Sequence, residues 1–175
     1  MNSLYLAVKA YENARKRLNE AVESYLTLCQ KAGTNTVVLY NDVEPFASLT
    51  ETLFWAMSIF DLKKELDNST DYSSIEKYMS ALRLIVNIMK HAKTAFNPYV
   101  FSHPGVSISV GVTDGENGPI IEDVQIKPTL IFADITDVII EKRNKNQEKN
   151  YNNLIKGKKL SDIMDQLDMI IESLK

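Results

Sequence analysis

The sequence predicts a mainly α protein: a bundle of about five helices with one β-hairpin inserted at about residues 106–126. Three observations carry that expectation. Apolar residues recur at steps of three and four through Leu4 to Cys29, through Phe46 to Phe60 and through Leu160 to Leu174, the spacing that lines up one face of a helix. Near the middle of the chain the period changes to two, with Val106, Ile108, Val110 and Val112 alternating with Ser107, Ser109 and Gly111, as in a half-buried strand. Directly afterwards Thr113-Asp114-Gly115-Glu116-Asn117-Gly118-Pro119 has the chemistry of a turn, so that Ile120 to Ile126 can return as the second strand.

The first helix carries a heptad seam of Leu4, Val8, Tyr11, Leu18, Val22, Tyr25 and Cys29, interrupted at Arg15, and Gly33 marks its end. Asp42 and Pro45 suit the start of a second helix, whose apolar face is Phe46, Leu49, Leu53, Met57 and Phe60, with Trp55 off that stripe. After the polar run Asp67–Asp71, Ser73 and Glu76 have the spacing of a capping box, so a third helix starts near Ser74 and ends before Asn97-Pro98. Beyond Pro128, Ile131, Ile135, Val138 and Ile139 return to helical spacing and predict a fourth helix. The Asn- and Lys-rich segment from Asn144 to Lys159 reads as a frayed helix end or a loop, and Leu160, Ile163, Met164, Leu167, Ile170, Ile171 and Leu174 form a final amphipathic helix. A two-stranded hairpin is marginal alone, so this one must lie on the bundle or on a partner chain.

The 175 residues suit a single domain over 1–175, and a composition of 45% hydrophobic and 25% charged residues indicates neither disorder nor a fibrous repeat. No run approaches a membrane span, and the N-terminus lacks the basic and apolar regions of a signal peptide, so the expectation is a cytoplasmic protein with no membrane contact. The single cysteine, Cys29, excludes an intrachain disulfide and a cysteine-based zinc site, and on the apolar seam it reads as a core thiol. His91 and His103 stand twelve apart with Pro98 between them, which is not metal-ligand spacing, and neither a Gly-rich phosphate loop nor a nucleophile elbow is present. No metal and no cofactor is therefore expected. The acids Asp114, Glu116, Glu122 and Asp123 lack the order of a calcium loop and read as a polar hairpin tip.

The formal charge of -3 is unevenly spread: about zero over 1–104, about -5 over 105–140, about +5 over 141–159 and about -3 over 160–175. The basic stretch, with Lys142, Arg143 and Lys145 at its head, is compatible with a nucleic-acid backbone or with a solvated helix end or linker.

Residues 81 to 92, Ala-Leu-Arg-Leu-Ile-Val-Asn-Ile-Met-Lys-His-Ala, hold the most chemical pattern in the chain. Arg83, Asn87 and His91 recur every four positions, which stacks them on one helical face. Such a face can hold a phosphate and move a proton, with Lys90 beside it, or it can be the water-facing stripe Ser80, Arg83, Asn87, Lys90 and Thr94 of any amphipathic helix.

The span from Glu51 to Asp61, followed about twenty residues later by Ala81-Leu82-Arg83 and Asn87 to His91, resembles the HEPN superfamily of helical nucleotide-binding and RNase domains. The resemblance covers about residues 47–103. It implies a helix bearing an arginine, a following polar residue and a histidine, a dimer that joins two such motifs, RNA cleavage without metal, and a setting in toxin, antiphage or RNA-processing systems. Asn87 matches the polar position and His91 the histidine, but Val86 stands where the arginine is expected, and Arg83 lies about 4.5 Å away along the axis.

Three functions are compatible with these residues. One is a metal-independent RNase with His91 as general acid or base, Asn87 beside it, and Arg83 and Lys90 on the phosphate. A second is a degenerate, non-catalytic HEPN-like protein that binds RNA, a nucleotide or a partner chain through the third helix, as a homodimer. A third is a helical interaction module with no nucleic-acid role, engaging a protein partner through its first-helix seam or its hairpin. The missing arginine makes the second the reading adopted.

Overall fold

The computed structural model describes residues 3–30, 43–91, 101–115, 118–135 and 145–175; for His91, 101–114 and 120–127 the description is of the backbone alone. Among these residues the order is α1 (Ser3–Cys29), α2 (Glu44–Leu66), α3 (Ser73–His91), β1 (Phe101–Gly115), β2 (Gly118–Phe132), α4 (Lys145–Leu154) and α5 (Leu160–Leu174). The mainly helical architecture with one inserted hairpin is thus as the periodicity predicts.

The α1 seam buries Leu4, Val8, Tyr11, Leu18, Tyr25 and Cys29, with Ala7, Ala14 and Ala21 beside them, and lies lengthwise along α2. Pro45 stands in the first turn of α2, where its missing N–H is no loss. In α2 the buried set, Leu49, Thr52, Leu53, Ala56, Ile59 and Phe60, spreads over more than one stripe because the helix packs against α1, α3 and α5. Its buried Thr52 hydroxyl donates to the Ser48 carbonyl at 2.8 Å, so no polar atom is stranded there. Trp55 is half-buried against the core and meets Phe54 edge to face at 5.2 Å.

The start of α3 is held by Asp71, not by a Ser73–Glu76 capping box. The Asp71 carboxylate accepts the Ser73 N–H at 2.9 Å and the Ser73 hydroxyl at 3.3 Å, while the Glu76 side chain pairs with Lys64 of α2. The ends predicted for α1 at Gly33 and for α3 before Pro98 lie outside the described residues.

Two expectations are corrected. The hairpin is longer than 106–126: its ladder runs from Phe101↔Phe132 to Gly115↔Gly118, with an irregularity between Phe101 and Pro104. Ile131 therefore belongs to β2, and the helix expected after Pro128 is absent over 128–132 because pairing with β1 satisfies the backbone groups that a helix would have used. Among the described residues the fourth helix is Lys145–Leu154, within the Asn- and Lys-rich segment, where Tyr151 is its one buried side chain. Residues Val138 and Ile139 lie outside the described set.

The base of the hairpin is stitched to the turn after α4. The Phe132 N–H donates to the Lys158 carbonyl at 3.0 Å, the Gly157 N–H donates to the Phe132 carbonyl at 2.9 Å, and Ile131 bridges to Lys159. Gly157 makes that turn with φ +75, a left-handed conformation suited to a residue without Cβ. Leu130, Phe132 and Ile135 join the main core with Leu18, Leu53, Leu82, Tyr151, Ile163 and Leu167.

Three core tyrosines keep their hydroxyls paired: Tyr11 to Asp168, Tyr78 to the Ile163 carbonyl at 2.8 Å, and Tyr151 to the Ala133 carbonyl at 2.7 Å. Burial pushes the ionisation of all three upward, and the Asp168 carboxylate adds to the shift at Tyr11. A pKa raised in the folded state gives stability that is complete below the ordinary tyrosine value of about 10 and is lost as pH rises beyond it. Phenolate absorbance during alkaline titration should therefore show at least three of the eight tyrosines ionising only with unfolding. A single step for all eight near the ordinary value would contradict this packing.

Candidate nucleic-acid interface

The polar stripe of α3 does not converge on one point. Arg83 reaches back to α2, where its Nη2 donates to both carboxylate oxygens of Asp61, at 2.7 and 2.8 Å. Both side chains are about half exposed, so the pair is worth at most about 1 kcal/mol. It nevertheless neutralises the arginine that a phosphate would need. Val86, at the position where the family resemblance expects an arginine, is partly buried and packs on the core.

Asn87 turns the other way. Its amide Nδ2 donates to Gln147 Oε1 of α4 at 3.2 Å in a part-buried contact, and α4 lies along this side of α3. Helix α4 carries Lys145 and Lys149, one turn apart and both exposed, and on α3 exposed Lys90 follows Asn87. Lys145 and Lys149, each two residues from Gln147, lie on the far side of α4 from the Asn87–Gln147 bond. The His91 backbone closes α3, and the His91 side chain lies outside the described residues, as do Lys142 and Arg143. Of the residues singled out from sequence, then, Asn87 meets α4, Lys90 and Lys145 are exposed on the two neighbouring helices, and Arg83 is drawn to Asp61.

A second polar cluster was not legible as such. Arg15, which breaks the α1 seam, is mostly buried and donates from Nε to Asp168 Oδ2 of α5 at 3.1 Å, with Asp165 at 3.9 Å from its guanidinium. The Tyr11 hydroxyl donates to the other Asp168 oxygen. The only trace in the sequence is a charge on an apolar seam; its partner lies 153 residues away. Beside this cluster a groove of about 310 Å³ is lined by Leu18, Val22, Leu130, Leu160 and Met164 as well as Arg15.

Among the described residues no group of three His, Cys, Asp or Glu side chains is placed to hold a metal ion, and no helix is long and apolar enough to cross a membrane. Compared with protein-family models, curated proteins and solved structures, the chain shows no significant match.

The two polar clusters differ in what they do for stability. Replacing Asp168 by Ala strands the buried Tyr11 hydroxyl and removes one of the partners of Arg15, so it should lower unfolding free energy by about 1–3 kcal/mol. Asp61→Ala should cost less than about 1 kcal/mol, since Arg83 remains solvated. Urea unfolding of the two variants checks the contrast; equal losses would contradict it.

Proposed function

We propose that the chain is a HEPN-like helical protein that has lost RNA cleavage and binds RNA through the α3–α4 surface. The observation that supports this reading is the Asn87–Gln147 bond, which joins α3, with its exposed Lys90, to a helix that bears the exposed Lys145 and Lys149. Exposed lysines attract a phosphate backbone by displacing its counterions, and they need no arginine held for catalysis. Lys142 and Arg143 precede α4 in the chain and extend its charge in sequence.

The same geometry disfavours turnover. A transition-state role for Arg83 requires its charge to be free, whereas Asp61 already accepts from it through both oxygens. Val86 brings no charge of its own. On this reading the protein acts in the cytoplasm, and the resemblance suits a place in a toxin–antitoxin or phage-defence system.

The test pairs two assays on purified protein. Incubation with a mixed RNA pool in excess EDTA should give no cleavage above buffer. Fluorescence polarisation with a single-stranded RNA should show binding that weakens with salt, and Lys90→Ala, Lys145→Ala and Lys149→Ala should each reduce the log–log salt slope by about 0.7. Cleavage that leaves cyclic-phosphate ends and is lost in His91→Ala would overturn the non-catalytic reading, and absence of RNA binding at low salt would overturn the interface.

A further inference from the structure

The groove between α1, α5 and β2 joins a charged end to an apolar one, and none of its lining residues belongs to α3 or α4. Along α1 it follows Arg15, Asn19, Val22 and Leu26, a run of about 16 Å at the helical rise of about 1.5 Å per residue. Helix α5 passes antiparallel to α1, since Lys175 pairs with Glu12 while Asp165 faces Arg15. Arg15, Asn19 and Asp165 therefore mark one end of the groove, and Leu160 lies toward the Leu26 end. Leu130 joins Leu160 there, because the neighbouring Ile131 bridges to Lys159.

The charged end is unbalanced. Arg15 supplies one positive charge against the carboxylates of Asp165 and Asp168. Asp168 is committed, one oxygen accepting from Arg15 Nε and the other from the Tyr11 hydroxyl. Arg15 also donates from Nη1 to Asn19 Oδ1. Asp165 is held far less: its carboxylate stands 3.9 Å from Arg15 Nη2, too long for a hydrogen bond, and 76% of its side chain is exposed. Ser161, on the same wall, donates its hydroxyl to Asp162 at 3.1 Å and keeps its oxygen as an acceptor. The polar wall of α5 thus offers acceptors and excess negative charge above an apolar floor.

We propose that this groove binds a small aliphatic amine, with its ammonium on the Asp165 carboxylate and its hydrocarbon tail along Val22, Leu26, Leu130 and Leu160. The charge excess selects a cation and disfavours a fatty carboxylate of the same length. Size sets the tail. A volume of about 310 Å³ takes about ten non-hydrogen atoms at the roughly 30 Å³ that a water occupies in the liquid, which corresponds to an amine of about eight or nine carbons. Each methylene that reaches the apolar end strengthens binding by up to about fourfold.

Isothermal titration calorimetry of the full chain tests this. The native protein should bind n-octylammonium at one saturable site, n-butylammonium far more weakly, and octanoate not at all. Asp165→Asn, a change at an exposed position, should weaken n-octylammonium by about tenfold, the loss of one charge-assisted hydrogen bond, and leave octanol binding unaltered. Val22→Phe, which fills the groove from a partly buried position, should abolish binding of both with helical circular dichroism unchanged. Absence of a saturable site, equal binding of octanoate, or an affinity for n-octylammonium that Asp165→Asn does not change would each overturn the proposal. RNA binding by the same two variants should match the native protein, so the α3–α4 reading and this one can fail separately.

Discussion

One buried hydrogen bond ties together the parts of this molecule that carry its proposed activities. Tyr151 is wholly buried and donates from its hydroxyl to the Ala133 carbonyl at 2.7 Å. Tyr151 is the single buried side chain of α4, a helix otherwise made of Asn, Lys, Gln and Glu except for the partly buried Leu154 at its end. Ala133 directly follows β2, whose last residue, Phe132, exchanges backbone bonds with Gly157 and Lys158. The junction thus sets two things at once: the seat of α4 against α3, with Gln147 in reach of Asn87, and the root of the hairpin. An unmet carbonyl here would cost about 1–3 kcal/mol, a large share of what a small domain has in reserve.

The electrostatics follow from where each long side chain finds its partner. Arg83 and Asn87 are one turn apart on α3, yet one is drawn to Asp61 of α2 and the other to Gln147 of α4. Helical spacing places residues on a face but leaves the neighbouring helices to decide which of them remain free. The proposed binding rests on the lysines that stay exposed, and the proposed lack of catalysis on an arginine whose charge is matched.

The helices α1, α2, α3 and α5 were legible because each carries enough apolar residues at helical spacing to bury a stripe, as Leu4 to Cys29 and Leu160 to Leu174 do. Helix α4 was not, since one tyrosine makes no period. The run after Pro128 read as helix because Ile131 and Ile135 are four apart, whereas its strand character depends on a partner at Phe101–Pro104, which local spacing does not reveal. The hairpin itself was visible in the alternation of Val106 to Val112, but the Glu122 bulge appears only once both strands are aligned. At the candidate site, sequence showed which residues lie on α3; it did not show that Asp61, Gln147 and Asp168, each far along the chain, would claim Arg83, Asn87 and Arg15.

Amide hydrogen exchange followed by mass spectrometry, comparing the native chain with Tyr151→Phe, tests the role of the junction most directly. If Tyr151 holds α4 and the hairpin root together, protection should fall in the same variant over both 145–154 and 129–135, with α1 and α2 unchanged. Loss confined to 145–154, or spread evenly over every helix, would contradict it.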